Sequence, residues 1–274
     1  MITVQTVDIL GVPFASLTQE QALCILEGYL DTAVNHVIVT PNPEGVMQSR
    51  RNPAFREALC NADLSLADGT GVVLASWFLN RRLPERVRGV DISFALFERL
   101  CERERSFTAY FLGATSGVAE NAKRNMEARF PYLKVVGLHH GFFDTEKEAE
   151  ILDEINRLSP DILFVCTGMP RAELWADTHR GALPLSSDCP LVGISPRSLN
   201  SPLASKKINA RITLCVGGTL DIMGGNVKLA PAFVRKIGME WFYRLLCQPS
   251  RTKRMLDIPR FVLAVLFVKG DREH

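Results

Sequence analysis

No stretch of this chain reaches the roughly 20 consecutive apolar residues that a bilayer-spanning helix needs; the nearest approach is "RFVLAVLFVKG" close to the C-terminus. The N-terminal "MITVQTVDILGVPF" lacks the basic start and long apolar centre of a secretory leader. There is no CxxC pair, and the seven cysteines (Cys24, Cys60, Cys101, Cys166, Cys189, Cys215, Cys247) form an odd, widely spaced set that falls mostly in apolar runs. This argues against a disulfide framework or a zinc site and for reduced, buried thiols in a cytoplasm-like compartment. An excess of one charge is also missing. With a formal net charge of +2 no global field recruits nucleic acid, so any basic patch is local. Two common nucleotide signatures are absent as well: neither G-x-G-x-x-G nor G-x-x-x-x-G-K-[ST] occurs, which disfavours a nicotinamide-dinucleotide site and a Walker-type loop.

What is present is an ordinary globular balance, 47% hydrophobic and 23% charged over 274 residues, enough to bury a sizeable core. "HVIVT", "LSL", "FTAYFLG", "LKVVGL", "DILFVC" and "ITLCVGG" read as strands, each short, β-branched or aromatic, and bounded by turn residues. Helical patterns alternate with them: "GVMQSRRNPAFREALCNA" as one helix interrupted near Pro53 or two short ones, then "SGVAENAKRNMEARF", "TEKEAEILDEINRL" and "RAELWADTHRGAL". Strand followed by helix, repeated, predicts an α/β fold with a mainly parallel sheet covered on both faces. Ligands of such sheets bind beyond the carboxyl ends of the strands.

Those ends carry the candidates. After "HVIVT" comes "TPNPEG", where two prolines stiffen a turn that projects the Thr40 hydroxyl and the Asn42 amide toward a hydroxyl-rich ligand; helix capping by Asn42 is an equal alternative. "ADGTG" places Asp68 at the end of an apolar run. Gly69 and Gly71 let backbone approach a ligand closely, the following helix start offers N–H groups to a phosphate, and Asp68 can take a proton from an attacking hydroxyl. A simple Asp-Gly turn is the commoner reading of that motif alone. In "FLGATSGVAENA", Gly113 and Gly117 flank a strand-to-helix turn, with Thr115 or Ser116 capping the helix or touching phosphate. His139 and His140 are adjacent, so in an extended segment they face opposite ways, a poor spacing for one shared metal. In "GMPRAELW", Gly168 and Pro170 shape a turn and Glu173 falls in the first helical turn as a cap.

From Lys228 onward basic residues outnumber acidic ones. "PAFVRKIGMEWFYRLL" has Pro at a favoured early helix position, with Val234, Ile237, Trp241, Phe242 and Leu245 at helical spacing. Interleaved basic and aromatic residues suit an anionic membrane surface, and a core-packed helix with a solvated basic face is the rival reading. Domains are therefore expected at 1–227, the α/β unit, and 228–274, a helical, basic, membrane-associating appendage.

"TPNPEGV", "NADLSLADGTGVV", "PERVRGVD", "FLGATSGVAENA", "PDILFVCTGMP" and "VGGTLDIMGGNVKLAPAFVRKIGMEWFYRLL", in this order, resemble the WecG/TagA/CpsF family of bacterial glycosyltransferases, from about residue 8 to about residue 267. The resemblance implies a Rossmann-like transferase that needs no metal and moves a sugar, with inversion, from a UDP-sugar to a polyprenyl-diphosphate-linked saccharide at the inner face of the cell membrane, in surface polysaccharide synthesis. The best-known members transfer N-acetylmannosamine. It also implies Asp68 as general base with Thr40 and Asn42 in the same pocket. The donor would be held by Gly69, Thr70, Gly71, Gly113, Gly168 and Arg86, with Arg244, Arg251 and Arg254 of the tail reaching the diphosphate. Expected partners are thus a UDP-sugar, a lipid-linked acceptor and an anionic membrane surface, not nucleic acid, with self-association left open. Two departures stand out: Ala172 occupies a position where the family usually has Gln, and "PLSSDCPLVGISPRSLNSPLASKKINARI" is about twice the expected length, with a small strand expected at "PLVGI". They keep two alternatives open, a UDP-glucose-type hexosyltransferase and a non-catalytic nucleotide-binding partner subunit.

Overall fold

A computed structural model describes residues 4–180, 207–227, 230–231 and 257–270. The chain opens with an antiparallel hairpin, β1 (Thr6–Ile9) and β2 (Val12–Ala15), and α1 (Gln19–Leu30), whose Thr18 and Gln21 form a reciprocal capping box. Then follow β3 (His36–Val39), α2 (Pro43–Ser49), α3 (Pro53–Asn61), β4 (Leu64–Ser65), α4 (Thr70–Phe78) and α5 (Gly89–Glu102). The second half supplies β5 (Phe107–Gly113), α6 (Val118–Arg129), β6 (Leu133–His139), α7 (Thr145–Leu158), β7 (Ile162–Cys166), α8 (Arg171–His179), β8 (Ile212–Cys215), α9 (Thr219–Met223) and α10 (Asp257–Gly270).

All six expected strands form one parallel sheet in the order β4-β3-β8-β7-β5-β6. The helical stretch around Pro53 is two helices: Asn52 caps α3 and Pro53 sits at its start, where a missing N–H costs nothing. Period-2 alternation divides the core between the sheet faces. Ile38, Phe107, Ala109, Phe111, Ile162, Phe164, Ile212 and Leu214 point to one face, packed by α1, α5, α6 and α9. Val37, Val39, Tyr110, Leu112, Leu163, Val165 and Cys215 point to the other, covered by the hairpin and by α2, α3, α4, α7, α8 and α10. On the first face Phe97 is fully buried, with its ring centroid 5.3–5.6 Å from Phe107, Phe130 and Phe164.

Helix α10 lies on this frame. Phe261 and Val265, one turn apart, are buried in the second core, and Asp257 accepts a forked ion pair from Arg51 at the end of α2 (2.8 and 2.5 Å). Its outward side is apolar too, with Val262, Leu263, Leu266 and Phe267 all exposed. No helix among the described residues is long and apolar enough to cross a membrane. The expected amphipathic helix over 231–246 and the strand at "PLVGI" lie outside the described residues. Of the cysteines, Cys166 and Cys215 are buried, whereas Cys24 and Cys60 are exposed, so the expectation of buried thiols is corrected at those two positions; the five described are free.

Because Phe97 ties α5 to the sheet through Phe107 and Phe164 and to the end of α6 through Phe130, Phe97→Ala is expected to cost about 3–5 kcal/mol, read as a lowered denaturant midpoint with an unchanged slope.

Candidate active site

The carboxyl ends of β3 and β4 are locked together by one packing contact. The Pro43 ring sits against the Asp68–Gly71 turn, and a Cβ built on Gly69 or Gly71 would lie 2.9 or 2.8 Å from it. Gly69 also has φ of +156°, a conformation that favours glycine. The two glycines therefore make room for Pro43, a reason different from the close ligand approach expected of them. Asp68 N–H donates to the Pro41 carbonyl across the same junction (3.3 Å).

Thr40, Asn42, Asp68, Gly69, Thr70, Gly71 and Arg86 thus come together. Thr40 donates through Oγ1 to the Cys215 carbonyl at the end of β8 (3.2 Å). Asn42 caps α2, accepting from Gly45 N–H at 2.9 Å, so of its two readings the cap is the one present. Arg86 donates to Thr70 Oγ1 (3.1 Å), bringing a guanidinium to the first turn of α4. Asp68 is half-buried, and its Oδ2 accepts from Gly89 N–H at the start of α5 (3.4 Å). Gly89 reaches this spot because it has no side chain: a Cβ there would lie 2.9 Å from Val216 and 3.1 Å from Thr40 Oγ1. A helix N-terminus attracts negative charge, so α5 orients the Asp68 carboxylate.

Helix starts divide into two classes. Thr18, Asn42, Asn52 and Asp144 cap α1, α2, α3 and α7 with their side chains. The starts of α4, α5, α6 and α8, which follow strand ends or pack against them, have no side-chain cap. Thr115 and Ser116 do not cap α6, whose N-cap is Gly117. Uncapped starts leave N–H groups for a ligand anion. Across the sheet, Gly117, Gly168 and Gly217 have φ of +84°, +83° and +44°, and at each a Cβ would meet nothing within 4 Å. These open turns follow β5, β7 and β8, three adjacent strands. Gly113 is different: a Cβ there would lie 2.5 Å from the Cys166 backbone, so it serves the tight approach of β5 to β7. It stands three strand spacings from β3, about 14 Å. Arg244, Arg251 and Arg254 lie outside the described residues.

Other acids at the opposite sheet edge have structural partners. Asp63 accepts from Val37 N–H and pairs with buried Arg180, and Asp161 accepts from Thr108 and pairs with Arg211. His139 and His140 do not face opposite ways: β6 ends at His139, alternation stops, and the rings lie 4.3 Å apart. Arg171 braces the following loop, donating to the Gly141 and Phe143 carbonyls. Ala172 is buried in the core and offers the crevice no polar atom.

Sequence reasoning missed Gly89, Gly217 and the state of Glu173. Glu173 is buried at the first turn of α8: its carboxylate accepts from its own backbone N–H there, while Oε2 has no partner among the described residues. Burial pushes its carboxyl up to about 7. Only the apolar flanks Ala172 and Trp175 hinted at this.

A profile of the Glycosyl transferase WecG/TagA/CpsF family matches residues 7–193 and 203–274. A Bacillus spizizenii protein is 31% identical over 238 residues (87% of this chain, 81% of the relative), one from Bacillus subtilis 28% over 263 (96% and 91%), and one from Staphylococcus aureus 30% over 265 (96% and 93%). All three bear the name N-acetylglucosaminyldiphosphoundecaprenol N-acetyl-beta-D-mannosaminyltransferase.

The raised carboxyl of Glu173 has a signed consequence. Its folded value lies above the unfolded one, so its contribution is fully present below the unfolded value and is lost as pH rises through about 7. Glu173→Gln should therefore gain stability over the parent between about pH 5 and pH 8, by up to about 3 kcal/mol. Paired thermal melts across that range check it, and parallel curves would contradict it.

Proposed function

The chain belongs to the WecG/TagA/CpsF family of glycosyl transferases, and from that premise we propose that it transfers N-acetylmannosamine from a UDP-sugar to N-acetylglucosamine carried on a polyprenyl diphosphate. The relatives' names supply the transferred sugar and the lipid-linked acceptor. The UDP donor is part of the proposal, and it suits the uncapped helix starts along the crevice. The observation that carries the reading is Asp68, held at the junction of β3 and β4 beside Thr40, Arg86 and the start of α5.

In this scheme the acceptor hydroxyl enters against Asp68. The carboxylate takes its proton as the oxygen attacks the anomeric carbon from the face opposite the diphosphate. The new C–O bond forms as the bond to the β-phosphate oxygen breaks, and the configuration inverts. The departing UDP gains charge, and in this scheme the open turns at Gly168 and Gly217 stabilise it. Arg86, anchored on Thr70, adds a positive charge at the same edge. Thr40 and Asn42 shape the pocket, Asn42 by fixing α2.

The scheme routes no step through a metal. Among the described residues no three His, Cys, Asp or Glu side chains converge on one point. An acceptor embedded in lipid places the reaction at a membrane surface.

Asp68→Asn should keep UDP affinity and lose roughly 10²–10⁴-fold in turnover. Calorimetry with UDP, run beside transfer to a short-chain polyprenyl-diphosphate acceptor, checks both halves, and unchanged turnover would remove Asp68 from the chemistry. Across a panel of UDP-sugars the N-acetylmannosamine donor should give the fastest transfer, and preference for UDP-glucose would reassign the donor.

A further inference from the structure

Among the described residues Glu173 is a buried acid with one side-chain oxygen unpaired. Glu27, Asp63 and Asp257, whose carboxylates are also largely shielded from solvent, each pair with an arginine. Glu173 does not: Arg171, two residues earlier, donates instead to the Gly141 and Phe143 carbonyls. An unpaired buried oxygen is destabilising, and native proteins hold few of them.

Glu173 stands beside the two turns that the proposed scheme gives to the diphosphate. Ala172 N–H donates to the Gly168 carbonyl (3.0 Å) and Leu174 N–H to the Pro170 carbonyl (3.1 Å), so the Gly168 turn and the start of α8 form one piece. Cys215 joins that piece to β8: its thiol donates to the Ala172 carbonyl (3.6 Å) and lies within electrostatic reach of Glu173. Gly217 follows two residues later, and the Cys215 carbonyl accepts from Thr40 Oγ1 (3.2 Å). A continuous set of contacts thus runs from the Gly168 turn past Glu173 and Cys215 to Thr40, in the cluster around Asp68.

We propose that Glu173 is a positioning residue for the donor: its neutral carboxyl seats the start of α8 against β8, and the diphosphate binds that neutral form. The inference rests on the UDP-donor reading above and adds a proton to it. An ionised Glu173 would set negative charge behind the turns, against a ligand that is itself an anion, with no charged partner to offset it. By reciprocity, a bound diphosphate holds the proton on Glu173. Burial already pushes this carboxyl up to about 7, so the neutral form prevails below that value and donor affinity falls as pH rises through it.

The other titratable groups on the elements packed against α8 do not take this role. Cys215 of β8 and Cys166 of β7 are thiols that burial pushes up, Cys166 to about 12. Arg56, Glu57 and Cys60 of α3 are exposed, and His36 lies at the opposite end of β3, beside Asp63. Within α8 itself, Asp177 accepts from Asn61, and His179 pairs with Glu148 of α7.

The test is calorimetry of UDP binding to the full chain from about pH 6 to about pH 8, in buffers of different ionisation enthalpy. The parent should lose about tenfold in affinity across that range relative to Glu173→Gln, and at the alkaline end should take up about one more proton per UDP than the variant does. Titration of UDP itself is common to both proteins and cancels in the comparison. The apolar Glu173→Met should match Glu173→Gln, and Asp177→Asn, one turn further along α8, should match the parent. A purely structural glutamate would alter the melting of these variants and leave the pH profile of affinity unmoved. The same pH slope and proton uptake in the parent and both Glu173 variants would overturn the inference and leave the donor reading standing. So would loss of UDP binding by folded Glu173→Gln, which is neutral at every pH. Absence of UDP binding by the parent at any pH would end the donor reading, and the inference with it.

Discussion

The site depends on the seating of the Pro43 ring against Gly69 and Gly71. Parallel strands bring their carboxyl ends to one edge, but they do not by themselves bring two loops into contact. Here a rigid ring on one loop meets a turn with no side chains on the other. The Asp68 N–H to Pro41 carbonyl bond closes the junction, and the start of α5 is pressed in behind it through Gly89. Any side chain at Gly69, Gly71 or Gly89 would push these pieces apart, because the nearest atoms belong to a proline ring, a β-branched valine and Thr40. The turn that carries the carboxylate is thus held by covalent stiffness and close packing.

Much of this was legible in the sequence. The six sheet strands follow from short β-branched and aromatic runs bounded by turn residues, and their alternating faces reproduce the two cores. Thr40, Asn42 and Asp68 were legible because they follow strands closely, whereas Arg86, in the connection between α4 and α5, came only with the family resemblance. The purpose of the glycines was not, since a glycine reports that space is needed and not which atom fills it. Gly113 shows the same limit: it packs β5 on β7, whereas Gly168 and Gly217, alike in type, border open space. The β1–β2 hairpin escaped because its strands are only four residues each, around a Leu-Gly turn without the usual Asn-Gly signal. Glu173 escaped because a carboxylate in a first helical turn normally caps it, and only the packing of α8 on β7 and β8 reveals its burial.

Helix α4 connects the candidate site to the apolar surface beside α10. Helix α4 starts at the turn that holds Asp68 and presents Leu74 and Trp77 outward beside α10. The buried ion pairs of Asp63 with Arg180 and the Asp161 bonds keep the opposite sheet edge closed.

The most direct measurement is a crystal structure of the chain soaked with UDP. The account predicts the diphosphate at the carboxyl ends of β3, β8 and β7, along the turns at Gly168 and Gly217, with the Asp68 carboxylate facing the position of the sugar. A nucleotide bound at the other sheet edge, or an Asp68 turned into the protein away from it, would contradict the account.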